Sequence, residues 1–136
     1  MEPRFNILTL GVDDLEKSYQ FYHEGLGFPS KGIVGKEYER GEAAFFDLQN
    51  GLKLALYTRE NLTWDSKLEK GKESPTEFSI GYLTTSKEEV DRVMAKAAKA
   101  GATIAKPAQP AFWGGYSGYF QDPDGHLWEI LFMPEK

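Results

Sequence analysis

Gln121 to Phe132, Q-D-P-D-G-H-L-W-E-I-L-F, is a turn that runs directly into a strand. In Asp122-Pro123-Asp124-Gly125, proline pre-sets one backbone angle and glycine accepts the left-handed one. The aromatic and aliphatic run behind it reads as a strand over 126–132. Side chains alternate across a strand, so Leu127, Glu129 and Leu131 share one face, while Trp128, Ile130 and Phe132 share the other. Glu129 is thus a carboxylate between two leucines. Two readings stand: a charge on a half-solvated strand, or a buried carboxylate that needs a cation, a basic side chain or a proton.

Working outward, the strand closes a pattern that occurs twice. A strand over 5–12 precedes a helix capped by Asp13 or Asp14, with Leu15, Ser18, Tyr19 and Tyr22 as its buried stripe and Gly25 at its end. Tyr19, Phe21 and Tyr22 read as packing residues. Strands over 30–34, 42–48 and 52–57 follow, the last two joined at Gln49-Asn50-Gly51. The polar, lysine-rich segment 58–75 reads as a linker with a short helix over 64–69. Trp64 within it either folds over a pocket, meets a second subunit or serves as an anchor. A strand over 77–85 restarts the pattern. Ser86 and Glu89 form a capping box, and Val90, Val93, Met94 and Ala97 form the helix stripe, which Gly101 ends. Strands over 103–106, 116–121 and 126–132 complete it.

The repeat is visible in register. A shift of 74 residues puts Gly27 on Gly101, Phe46 on Phe120, Gly51 on Gly125 and Leu56 on Ile130. The fold class expected is α+β, with two tandem β-α-β-β-β modules (5–57 and 76–134, linked by 58–75) in one domain over 1–136. The same shift puts Ala55 on Glu129, so equivalent positions hold a methyl group and a carboxylate.

Composition narrows the partners. The chain has 136 residues, nine Phe, seven Tyr, three Trp and a net charge of −5. That charge disfavours nucleic acid and anionic membranes. No apolar run approaches the ~20 residues of a membrane span, and the N-terminus lacks signal-peptide character. With no cysteine, disulfides, thiol nucleophiles and thiolate metal sites are excluded. A soluble, cytoplasmic protein is the expectation.

The duplicated pattern, the opening L-G-V-D-D-L-E-K-S-Y-Q-F-Y-H-E-G-L-G-F and the closing Y-F-Q-D-P-D-G-H-L-W-E-I resemble the vicinal oxygen chelate superfamily. That group contains glyoxalase I, extradiol dioxygenases, fosfomycin-resistance transferases and bleomycin-binding resistance proteins. The resemblance implies a curled, cup-shaped mixed sheet with helices outside, and in metal-dependent members a divalent metal held by His, Gln or Glu from the first and last strand of each module. On this chain those positions are Ile7, Ala55, Ile80 (give or take one residue) and Glu129. Isoleucine and alanine donate nothing to a metal. His23, in the last turn of the first helix, and His126, on the face opposite Glu129, read as structural. The cofactor expectation is therefore none, or a divalent metal held weakly at Glu129.

An apolar cup remains, with Ile7, Thr9, Ala55, Ile80, Leu127 and Leu131 facing inward beside Glu129. Trp113 and Tyr116, in the loop A-F-W-G-G-Y-S-G-Y, either close over a flat ligand or wedge an interface. The resemblance to fosfomycin-resistance proteins implies a substrate-contacting tyrosine at Tyr119. Three functions follow. One is binding of a small, partly apolar molecule without a tightly bound metal, as in bleomycin-resistance proteins. Another is a lactoylglutathione-lyase-like activity, with Glu129 as general base or metal ligand. The third is a degenerate structural module. A homodimer is the expected assembly.

Overall fold

The computed structural model describes residues 1–135. The chain divides into two compact units, Met1–Lys72 and Glu73–Lys136.

In the first unit, β1 (Ile7–Val12) leads into α1 (Leu15–Gln20). Asp14 caps α1 by accepting from the Lys17 amide at 3.1 Å. A wide helical turn over Phe21–Gly25 extends it and buries Phe21 and Tyr22. Next come β2 (Ile33–Val34), β3 (Ala43–Asp47) and β4 (Lys53–Thr58), in a mixed sheet of order β1-β4-β3-β2. The Gln49-Asn50-Gly51 turn joins β3 to β4, with positive φ at Asn50 and Gly51 as that turn chemistry requires. Leu10, Val12, Ala44, Phe46, Leu54 and Leu56 lie on one sheet face and are fully buried with Tyr22. His23 is structural: its Nδ1 lies 2.8 Å from the Phe28 carbonyl and its ring stacks on Tyr19.

The helix expected over 64–69 lies earlier, as α2 (Arg59–Ser66). Thr58, not a residue near Trp64, supplies the cap, accepting from the Asn61 amide at 3.1 Å. Trp64 is half exposed, with the Arg40 guanidinium 5.3 Å above its ring.

The second unit repeats the plan: β5 (Ser79–Thr84), α3 (Lys87–Ala100), β6 (Thr103–Pro110), β7 (Tyr116–Gln121) and β8 (Leu127–Phe132), in order β5-β8-β7-β6. Half of the expected capping box forms, with Ser86 Oγ accepting from the Glu89 amide, while Glu89 reaches one residue past the cap and accepts from the Thr85 amide and hydroxyl. Val90, Met94 and Ala97 bury the α3 stripe against Phe120, Trp128 and Ile130, while Val93 stays half-buried. The Phe120 and Trp128 rings stack at 5.9 Å.

β6 runs four residues beyond the expected 103–106. Its two prolines are tolerated because it is an edge strand with two register shifts, where missing amide donors face no partner. Among the described residues, no helix is long and apolar enough to cross a membrane.

Candidate functional site

The turn at the head of β8 fixes where Glu129 stands. Asp122 is buried, and its Oδ1 accepts from the amides of Asp124 and His126, both at 2.9 Å. With Gly125 at φ 89°, this clamp sets the register of β8 against β7. Glu129 then lies directly opposite Tyr119 on β7 and Gly81 on β5.

Alternation puts Leu127, Glu129 and Leu131 on one face with Ser79, Gly81, Leu83, Ser117, Tyr119 and Gln121. All three β8 residues on this face are half-buried, between the two readings their sequence allowed. The Tyr119 phenol and the Glu129 carboxylate are thus direct cross-strand neighbours on this face. Burial first, then the neighbouring Glu129 carboxylate, push the Tyr119 hydroxyl above its usual value of 10.0. Tyr119 is therefore a neutral donor at physiological pH. The next residue along its row is Lys106 on β6.

A groove of about 580 Å³ opens beside this pair, lined by Thr76, Phe78, Lys106, Tyr119, Gln121 and Leu127 among others. The first unit has a groove in the corresponding place, of about 390 Å³. There Phe45, Asp47 and Lys53 stand where Tyr119, Gln121 and Leu127 stand here, each 74 residues apart. Asp47 and Lys53 close on each other as an ion pair at 2.6 Å. The second groove, larger and without such a pair, is the better receptacle for a partly apolar molecule.

Of the residues singled out in the sequence, Glu129, Tyr119 and Leu127 come together here. Ile7 and Thr9 lie exposed on the first unit's sheet, with Ala55 buried in the row between Thr9 and Phe45. Ile80 requires correction. It pairs with Trp128 and so lies on the face opposite Glu129. First strands of the two units are offset by 72 residues, not 74, because Ile7 pairs with Lys53 and Ser79 with Leu127. The counterpart of Ile7 is thus Ser79. Tyr116 also lies on the opposite face, three residues from Tyr119, where its hydroxyl donates to Asp91 of α3 at 2.8 Å. Trp113 sits in the hairpin tip between β6 and β7, with Gly115 so close that a Cβ there would collide with the indole. Neither Trp113 nor Tyr116 lines the groove. Phe78 and Lys106 do line it, and sequence reading passed over both. Lys106 lay within the expected strand, but its place beside Tyr119 depends on a register shift between Ile104 and Lys106 that the sequence does not signal.

A divalent metal does not fit this face. Glu129 is flanked by Gly81, the neutral phenol of Tyr119 and two leucines, with the Lys106 ammonium along the row. Zn²⁺ or Mn²⁺ needs several N or O⁻ donors. No group of three or more His, Cys, Asp or Glu able to hold one occurs among the described residues.

Two repeated β-α-β-β-β units, each a four-stranded mixed sheet with a helix on one face, define a duplicated α+β protein. The chain belongs to the Glyoxalase/Bleomycin resistance protein/Dioxygenase superfamily, matching it over residues 4–130. It is 31% identical to the metallothiol transferase FosB of Lysinibacillus sphaericus, across 92% of this chain and 79% of that one. It is 28% identical to the glutathione transferase FosA of Serratia marcescens, across 92% and 77%. Among solved structures, a glyoxalase-related enzyme from Fulvimarina pelagi superposes with a TM-score of 0.83 at 32% identity, covering 98% of this chain and 90% of that one.

Proposed function

We propose that this protein binds a small, partly apolar molecule against the Glu129 face of its second unit, without a divalent metal between them. The observation that carries this reading is the partly apolar groove itself, which Tyr119 lines from its place opposite Glu129. The volume, about 580 Å³, falls within the range of roughly 300–1,000 Å³ usual for small-ligand sites. Its lining mixes Pro75, Phe78, Ala105 and Leu127 with a few convergent polar groups. Likeness to a protein named a metallothiol transferase would bring a metal to Glu129, but the donors around it speak against one.

The test is a ligand screen by thermal shift, run with and without EDTA. At a hundredfold excess over Kd, a ligand of the folded state alone adds about 2.7 kcal/mol. Stabilisation that survives EDTA and weakens in Tyr119→Phe supports the reading. Stabilisation that vanishes with EDTA overturns it.

The same facing of Tyr119 and Glu129 favours a second reading, an enzyme in which Glu129 takes a proton next to a substrate carbonyl and the Tyr119 hydroxyl donates to the oxygen as charge develops. Glu129→Gln separates the two. A general base removed in this way lowers the rate by on the order of 10²–10⁴, whereas affinity for a neutral ligand changes little.

A further inference from the structure

We infer that the molecule held in the second unit's groove carries an aromatic ring and an anionic group, with Phe78 the residue that selects the ring. This rests on the groove being the ligand site and deepens that reading.

Phe78 immediately precedes β5 and lines the groove with Pro75 and Leu127. Its ring is 47% exposed, and the aromatic neighbour it has is His126, at 6.2 Å and tilted by 31°. Of the two rings, Phe78 lines the groove, where it forms an open shelf beside Pro75 and Leu127.

Comparison between units shows that the fold does not require this shelf. Phe78 and His126 stand one residue before the paired Ser79 and Leu127. The same places in the first unit, one residue before the paired Ile7 and Lys53, hold Asn6 and Leu52. Both units build the head of their paired strands, yet one does so without any aromatic ring. An exposed phenyl in a concave site, unneeded for the module, offers a flat ligand ring the stacked or edge contacts that aromatic pairs favour.

Charge sets the other half of the ligand. Among the described residues lining the groove, Lys106 alone is charged. The Lys106 ammonium is therefore the group placed to meet an acidic head group. Glu129 itself is not among the lining residues.

The probe is 8-anilinonaphthalene-1-sulfonate, an aryl anion, titrated by fluorescence into the full chain. Phe78→Ala is expected to weaken binding about tenfold or more, and Phe78→Tyr to stay within about threefold of the unaltered protein. Phe78→Leu keeps bulk without a ring face, and decides the matter should Phe78→Ala fail to fold. Lys106→Met is expected to weaken binding and flatten its salt dependence. Unchanged affinity in both Phe78→Ala and Phe78→Leu, with loss in Lys106→Met and Tyr119→Phe, overturns the ring shelf and leaves the groove as the site. Full affinity in Lys106→Met overturns the anionic half. Indifference to all these substitutions overturns the shelf and the groove together.

Discussion

Tyr119 and Glu129 stand directly opposite each other on β7 and β8. In an antiparallel pair such residues lie side by side, which is why the contact needs no further support. The link makes one side chain a reporter of the other. Tyr119 is held protonated above 10.0 by burial and by Glu129, so Glu129→Gln is expected to lower its titration toward that value. An ultraviolet titration of both proteins, each with Tyr119→Phe as reference, reads the difference. The reference isolates Tyr119 from Tyr116, which Asp91 also raises.

The sign of the pH effect follows. A raised pKa means that the folded state keeps the proton longer than the unfolded one. The Tyr119 contribution to stability is full below pH 10 and fades as pH rises through the folded-state value. Urea unfolding between pH 9 and 11 is expected to show a smaller alkaline loss in Tyr119→Phe than in the unaltered protein.

The Asp122 clamp positions the strand that carries Glu129. Asp122→Ala leaves two amides without their acceptor in a buried turn, and each such loss costs about 1–3 kcal/mol. Asp122→Asn keeps one acceptor oxygen and is expected to cost less than Asp122→Ala. Chemical denaturation of the two variants gives the comparison.

The α3 cap is an independent check on the second unit. Ser86→Ala removes the acceptor for the Glu89 amide and is expected to lower stability by about 1 kcal/mol. Thermal unfolding measures it, and ligand affinity should not move, because Ser86 is not among the residues lining the groove.

How far the sequence carried these conclusions depends on what each signal measures. The repeat was legible because glycines, turn residues and caps report local backbone geometry, and Gly101, Asn50-Gly51 and Ser86 all act locally. Side-chain faces within β7 and β8 were legible for Glu129 and Tyr119, since alternation along one strand needs no partner. Ile80 was misplaced because its face depends on pairing across a linker of unknown slack. It lies 73 residues after Ile7 where the paired offset is 72, and one residue turns a strand side chain to the other face. Tyr116 could have been placed by counting: three residues from Tyr119 means the opposite face. Phe78 looked like the first apolar residue of a strand, and only the pairing of Ser79 with Leu127 shows that it stands at a groove.

Whether Glu129 binds a metal decides between the two accounts of this face, and mass spectrometry of the untagged protein under native conditions reads it directly. Titration with Mn²⁺, Zn²⁺ and Ni²⁺ is expected to give no one-to-one species above what Glu129→Ala gives, while a ligand found by thermal shift still binds in EDTA. One equivalent of metal, bound tightly and lost in Glu129→Ala, would contradict it and make the carboxylate a ligand after all.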